Sequence, residues 1–215
     1  MPRRDNPQRL TERSHRASVR AVATRDPDLA RVVARYGVPP FWSREEGFAT
    51  LVHVILEQQV SLASAQAAFD RLAARIGSVT PRALLAVSDA ELREDGFSRQ
   101  KARYTRLLAE ATLGGDVDLG GLAALPDADA HRALTALTGI GRWTADVYLV
   151  MALRRPDVWP RGDLALEIAA AEVKGDGRRM EADQLEQLAE TWRPHRASAA
   201  RILWHHYLSS RGRSD

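Results

Sequence analysis

Two glycines, a tryptophan and an aspartate stand at spacings that could serve chemistry. Gly139 and Gly141 lie in the segment LTGIG, Trp143 follows two residues later, and Asp163 lies twenty residues after Trp143. Glycine readily adopts left-handed backbone conformations, so a G-x-G segment can reverse the chain tightly. The N–H groups and dipole of a helix starting just after it would favour an anion such as phosphate. A plain turn between two helices, needing glycine only for its geometry, fits the same segment.

The elements that must position these residues are helices. Apolar residues recur at helical spacing, and we find no strand pattern of any length. Capping signals and glycines at helix ends divide the chain into about ten short helices, so we predict an all-α fold. The main start signals are Asp26 before Pro27, capping boxes at Ser43–Glu46 and Ser88–Glu91, and single caps at Ser61, Thr80, Ser98, Asp127 and Asp163.

The composition is that of a globular protein. The chain has 215 residues, of which 45% are hydrophobic and 27% charged. No apolar run approaches the roughly 20 residues of a membrane span, and the first 16 residues contain no apolar segment typical of a secretory signal. The chain has no cysteine, which excludes disulfides, iron–sulfur clusters and cysteine-based zinc sites within it. We therefore expect a cytoplasmic protein without a membrane partner.

Arginine dominates the basic residues. Lys101 and Lys174 are the two lysines among 31 basic residues, and the formal net charge is +3. Arginine makes bidentate contacts to phosphate, so the bias allows a basic surface for nucleic acid. A genome rich in G and C would produce the same bias, and both interpretations stay open.

Five segments share a pattern with one enzyme family. They are LVHVILEQQVSLASA (51–65), GFSRQKARYTRLLAEA (96–111), LTGIGRWTADVYLVMAL (137–153), DVWPRGDLAL (157–166) and WRPHRASAARILW (192–204). Together they resemble the helix–hairpin–helix (HhH-GPD) DNA glycosylase superfamily, in its 3-methyladenine (AlkA-like) branch. The resemblance implies a compact form without the extra N-terminal domain of AlkA. It implies a single all-α domain over residues 1–215 with two lobes, one at about 44–155 and the other at about 15–43 plus 156–209.

The resemblance also implies a reaction. Such enzymes flip a damaged base out of double-stranded DNA and hydrolyse its N-glycosidic bond, which starts base excision repair. Asp163 matches the family's catalytic aspartate, which stabilises a cationic sugar or activates water. As the residue before LALEIAAA, Asp163 is also expected to be an N-cap whatever its chemistry. Bifunctional members carry a lysine in place of Trp143, so the resemblance implies an enzyme without lyase activity.

The base pocket implied by the resemblance is aromatic. Trp143 and Trp204 match two pocket tryptophans, whose faces attract a cationic alkylated base. Val147 stands where AlkA has a tyrosine, which leaves the substrate range open. Asp146 either lines the pocket or faces solvent. Trp204 would equally fit the core side of an amphipathic helix.

The hairpin is expected to bind the DNA backbone. By resemblance, the amides of Gly139 and Gly141, with the neighbouring Arg142, would bind a phosphate. No cofactor is required, but a structural Na⁺ or K⁺ would be held by three backbone carbonyl groups, those of Thr135, Leu137 and Ile140.

Three further residues are expected to contact DNA. Gln59 aligns with the wedge that fills the space left by the flipped base, and its neighbour Gln58 would reach the opposite strand. The same segment fits a plain helix end entering a turn. Lys101 is expected to contact phosphate or solvent.

Two alternatives remain open from the sequence. One is a glycosylase of the same fold acting on hypoxanthine, uracil or ethenoadenine, which the valine at position 147 favours. The other is a non-catalytic helix–hairpin–helix module, which the loss of Asp163 or of both tryptophans would have favoured. The expected partner is double-stranded DNA carrying damaged bases. The expected state is a monomer in a bacterial cytoplasm, associated with the nucleoid.

Overall fold

A computed structural model of the chain describes residues 9–175 and 179–212. Within these ranges the chain is all-helical, as predicted, with two short 3-10 helices at Gly121–Ala124 and Glu190–Trp192. The first eight residues, in which the sequence predicts no secretory signal, lie outside the described ranges. The α-helices are α1 (Glu12–Arg25), α2 (Pro27–Tyr36), α3 (Phe48–Glu57), α4 (Leu62–Ile76), α5 (Pro81–Ala86), α6 (Asp89–Glu94), α7 (Arg99–Gly114), α8 (Asp127–Thr135), α9 (Arg142–Met151), α10 (Leu164–Lys174), α11 (Ala182–Ala189) and α12 (Arg196–Ser209).

The described residues form two compact units. The first unit comprises residues 44–153, with helices α3 to α9. The second comprises residues 9–43, 154–175 and 179–212, with helices α1, α2 and α10 to α12. Across the described residues, no helix is both long enough and apolar enough to cross a membrane.

Most predicted helix starts are confirmed by hydrogen bonds. A capping side chain accepts a bond from a first-turn amide, which would otherwise lack a partner. This holds at Asp26, Ser61, Thr80, Ser88, Ser98 and Asp163. At Ser88 the full capping box with Glu91 is present.

Two predicted starts are wrong. Helix α3 begins at Phe48, after Gly47 with a φ of 113°, so Ser43 caps no helix. Residue Arg44 is used elsewhere in the first unit: its amide donates to the carbonyl of Met151 and its guanidinium pairs with Glu57. Helix α8 begins at Asp127 itself, after Pro126, so Asp127 places its charge in the first turn, where the dipole favours it, instead of capping.

The core of the first unit includes helix α3. Its side chains Leu51, Val52, Ile55 and Leu56 recur at helical spacing and are almost completely buried. In the second unit, apolar residues of α1, α2, α10 and α12 form one cluster around Trp159 and Trp192. Helix α10 starts at the edge of this cluster, and the cluster therefore determines where Asp163 lies.

Candidate functional site

The turn between α8 and α9 depends on Gly139. Its φ is 91°, in the left-handed region, and the Ile140 amide donates to the carbonyl of Leu137 at 3.1 Å. A Cβ atom on Gly139 would lie 2.2 Å from Cγ of Tyr104, a residue of α7. Glycine is therefore required both by the backbone and by the tyrosine ring packed against the turn. Nothing in the sequence pattern indicated this contact.

Gly141 differs from Gly139 because the fold does not need a glycine there. Its φ of −83° suits any residue, and a Cβ atom would meet no heavy atom within 4 Å. Gly141 is the N-cap of α9 and is exposed. The missing side chain leaves room in front of the first turn of α9, on the side where a helix favours an anion.

The predicted cation ligands lie at the end of α8 and in the turn. Carbonyl groups at a helix end lack partners inside the helix, and they are suitable ligands for a cation. Leu137 O already accepts the Ile140 amide, which uses one of its two lone pairs. The chemistry of Thr135, Leu137 and Ile140 fits a monovalent cation, which stays a prediction. Among the described residues, no group of three or more His, Asp or Glu side chains could hold a metal ion.

Gln58 contacts the hairpin, a role that the sequence did not predict, and its expected reach toward the opposite DNA strand stays a prediction. Its Nε2 donates to the carbonyl of Gly139 at 2.9 Å and to Oγ1 of Thr144 at 3.0 Å. Gln59 is exposed and has a φ of 57°, which is uncommon for a residue other than glycine. Gln59 therefore remains the candidate wedge, while the amide of Gln58 is used inside the protein.

Lys101 also has a partner inside the protein, and its expected contact with phosphate stays a prediction. Its Nζ donates to the carbonyl of Leu56, in the last turn of α3, at 2.6 Å. Burial lowers the pKa of Lys101. The contact supports the end of α3 just before the two glutamines, because a cation is favourable at a helix C-terminus.

The first turns of α9 carry the other candidates of this unit. Trp143 is half-buried, and Val147 is buried. Asp146 is only 5% exposed, so of its two expected positions the solvent-facing one is wrong. Its Oδ1 lies 3.4 Å from Nε2 of His131 and its Oδ2 lies 3.7 Å from Nε of Arg142. Burial, and then the charge of Arg142, lower the pKa of His131.

In the second unit, Asp163 and Trp204 are in direct contact. Oδ1 of Asp163 accepts the Leu166 amide at 3.0 Å, as an N-cap, and the indole Nε1–H of Trp204 at 3.2 Å. Asp163 is 8% exposed, and Trp204 is half-buried against the core of its unit. Sequence reasoning had selected both residues but had not predicted this bond. The spacing of 41 residues between them carried no signal for it.

The geometry around Asp163 suits a carboxylate that stabilises a nearby positive charge. Two N–H donors fix the orientation of the group, so it need not reorganise when charge develops nearby. Its burial lowers the local dielectric, which strengthens its attraction to a cation. The arrangement can therefore stabilise a cationic intermediate or orient a water molecule.

Comparison with protein families gives a match over most of the chain. The model of the HhH-GPD superfamily base excision DNA repair proteins matches residues 52–195. Among individual proteins, the chain is 29% identical over 142 residues to DNA-3-methyladenine glycosylase 1 of Schizosaccharomyces pombe, covering 64% of this chain and 62% of that protein. It is 27% identical over 166 residues to the putative DNA-3-methyladenine glycosylase YfjP of Bacillus subtilis, covering 72% of this chain and 56% of that protein. The match thus spans about three fifths of the length of these relatives.

Solved structures resemble the chain over more of its length. The DNA-3-methyladenine glycosidase of Bacillus halodurans superposes with a TM-score of 0.75 at 29% identity, covering 91% of each chain. The 3-methyladenine DNA glycosylase of Schizosaccharomyces pombe, solved in complex with abasic DNA, gives a TM-score of 0.81 at 26% identity, covering 87% of this chain and 95% of that one.

Proposed function

Because the chain belongs to the HhH-GPD superfamily of base excision DNA repair proteins, we propose that it is a DNA glycosylase that excises alkylated bases of the 3-methyladenine type. The observation that carries the proposal is the buried carboxylate of Asp163, oriented by the Leu166 amide and the Trp204 indole. The relatives named for 3-methyladenine support the substrate class.

The proposed reaction is hydrolysis of the bond between the base and C1′ of the sugar. The bonding electrons leave with the base, and the sugar becomes an oxocarbenium-like cation that Asp163 stabilises by its charge. Water then adds to C1′ and loses a proton to the solvent. An abasic site and the free base remain. Because Trp143 occupies the place of the lysine of bifunctional members, we propose that the strand is not cut.

The proposed base-contacting residues, as the family resemblance implies, are Trp143 and Trp204. An alkylated purine carries a positive charge, and an aromatic face attracts it by about 1–2 kcal/mol when water is excluded. Val147 offers no hydroxyl group and no aromatic wall, and Asp146 is already committed to neighbours in its own unit. In this proposal Trp204 has two tasks, because its indole N–H also orients Asp163.

The proposed DNA contacts are made by the hairpin. The open space before α9 at Gly141, with Arg142 beside it, suits a backbone phosphate, and such contacts position DNA without reading its sequence. A monovalent cation on the turn carbonyls would add positive charge there. We propose that the protein acts as a monomer in the compartment that holds the DNA, a bacterial cytoplasm.

A glycosylase for another lesion is the second candidate, and the valine at position 147 favours it. Without the aromatic wall, the preference for a cationic base would weaken, and neutral lesions such as hypoxanthine, uracil or ethenoadenine would compete.

One experiment tests both candidates. Purified protein is incubated with methylated DNA, and separately with duplex oligonucleotides carrying single hypoxanthine, uracil or ethenoadenine residues. Chromatography measures the released base, and alkali reveals abasic sites. We expect release of 3-methyladenine and strand breaks only after alkali. Release of a neutral lesion alone would favour the second candidate, and breaks before alkali would contradict the absence of lyase activity.

The control variant is Asp163→Asn, which keeps the N-cap and removes the charge. We expect it to bind the same DNA without excision. If the wild-type protein binds duplex DNA in a salt-dependent way and releases no base, the protein is a binding module instead of an enzyme.

A further inference from the structure

We propose that Gln58 is a positioning residue that ties the loop of residues 58–60 to the hairpin of residues 137–141. Its consequence for DNA rests on the proposed function, in which the hairpin binds phosphate and Gln59 fills the space of the flipped base. The hydrogen bonds of Gln58 hold the loop and the hairpin, the two proposed DNA-binding parts of the first unit, as one preformed surface.

The contacts of Gln58 carry the inference. One amide nitrogen donates two hydrogen bonds, to the carbonyl of Gly139 at 2.9 Å and to Oγ1 of Thr144 at 3.0 Å. The first acceptor belongs to the turn itself, and the second to the first turn of α9. A single side chain thus spans both sides of the hairpin. Glutamine is needed because its amide presents two N–H donors at the end of a side chain long enough to reach.

The loop itself needs such support. The backbone of Gln59 has a φ of 57°, in the left-handed region. This conformation is unfavourable for a residue other than glycine, so surrounding contacts must hold Gln59 in it. Gln58 provides a contact immediately before it. Lys101 provides another by donating to the carbonyl of Leu56, at the end of α3. The exposed Gln59 therefore follows two residues, Leu56 and Gln58, whose positions are held by hydrogen bonds.

The expected consequence is selective. Phosphate binding at the hairpin does not involve Gln59, so loss of the Gln58 hydrogen bonds should change the affinity for undamaged DNA little. Recognition of an extruded or missing base requires the hairpin and the loop to act at a fixed separation. Loss of that preorganisation weakens the binding of damaged DNA specifically.

The variant that tests this is Gln58→Met, which keeps the length of the side chain and removes both donors. Gln66→Met is the matched control, because Gln66 is an exposed glutamine of α4 that bonds to Asp70 on its own helix. Two measurements are made. Hydrogen–deuterium exchange follows the peptide of residues 136–144, and fluorescence anisotropy compares a duplex containing a tetrahydrofuran abasic analogue with the same duplex undamaged.

We expect Gln58→Met to speed exchange in this peptide and to lower the preference for the abasic duplex about tenfold, with affinity for undamaged duplex changed less than about twofold. Gln66→Met should change neither quantity. Gln59→Ala should lower the preference but leave the exchange unaltered, which separates the wedge from its anchor. If Gln58→Met does not fold, Thr144→Val removes one acceptor and should give a smaller change of the same kind.

Unchanged exchange, or an unchanged preference, in Gln58→Met would overturn the inference. An equal loss of affinity for both duplexes would also overturn it, because Gln58 would then act in general DNA binding. A wild-type protein that releases no base contradicts the proposed function instead, and the exchange measurement still decides whether Gln58 holds the hairpin.

Discussion

The second unit contains two aspartates that are built alike and surrounded differently. Asp26 and Asp163 are both buried N-caps, and each accepts the indole N–H of a tryptophan. At Asp26 the contacts are divided: Oδ1 accepts the amides of Asp28 and Leu29, and Oδ2 accepts Trp192 Nε1 at 2.8 Å and Lys174 Nζ at 2.5 Å.

At Asp163 the amide and the indole both bond to Oδ1. The tryptophans differ too, since Trp192 is 2% exposed and lies in the core, whereas Trp204 is half-buried at its edge. An N-cap hydrogen bond therefore does not by itself distinguish a structural aspartate from a catalytic one. The same local device supports packing at Asp26 and, in our proposal, chemistry at Asp163.

The largest expected effect comes from exchanging each aspartate for asparagine. Asp163→Asn should lower the single-turnover rate of base excision by about 10³-fold, because the charge that stabilises the cationic sugar is lost. Its stability should change little. Asp26→Asn should lower the free energy of unfolding by about 2 kcal/mol, because the half-buried Lys174 loses one of its carboxylate partners, although it keeps Asp28, and should leave the excision rate of folded protein unchanged. Excision assays and urea denaturation measure the two effects, and the same pattern in both variants would refute the contrast.

The two glycines of the hairpin show the same contrast between support of the fold, at Gly139, and the proposed function, at Gly141. Gly139→Ala should lower the free energy of unfolding by about 3 kcal/mol, because of both its positive φ and the Tyr104 ring. Gly141→Ala should change it by less than about 1 kcal/mol but weaken binding to duplex DNA. Urea denaturation and anisotropy measure these effects. The double variant Tyr104→Ala/Gly139→Ala is the control, and it should be less destabilised than the sum of its single changes.

Removing the indole donors gives a smaller effect. Trp204→Phe should lower the excision rate about tenfold, because Asp163 loses one of the bonds that orient it. Trp192→Phe is the matched change and should reduce stability without altering that rate. Comparable rates for wild type and Trp204→Phe, measured at saturating enzyme, would show that the indole bond does not serve catalysis.

The smallest expected effect is a dependence of stability on pH. Burial raises the pKa of Asp26, but hydrogen bonds from Lys174, Trp192 and Leu29 outweigh it, so the net pKa lies below its ordinary value of 3.8. A group with a lowered pKa in the folded state stabilises the fold above its unfolded pKa and loses that contribution as pH falls through its folded pKa. Below about pH 4, wild-type stability should therefore fall more steeply than that of Asp26→Asn, as urea denaturation across pH 2–6 would reveal. Parallel curves would contradict this role.

Local signals predicted much of the fold. Asp26 before Pro27, the capping box at Ser88 and the cap at Ser98 were correct because each needs only an adjacent helix. The capping box predicted at Ser43 was wrong because tertiary contacts outweigh the local pattern. Arg44 pairs with Glu57, and the helix begins only after Gly47. The predicted roles of the site residues in DNA binding and catalysis stay predictions.

The sequence by itself determined the all-helical class, the glycine turn and the caps, because these depend on residue type and short spacing, and its resemblance to a known family selected Asp163, Trp143 and Trp204 as candidates. Only the tertiary structure decided what each side chain meets. It paired Trp204 with Asp163 across 41 residues, packed Tyr104 against Gly139, and turned Gln58 toward the hairpin 81 residues away. The physical reason is that a hydrogen bond or a close contact acts over about 3–4 Å in space. Separation along the chain gives no measure of that distance.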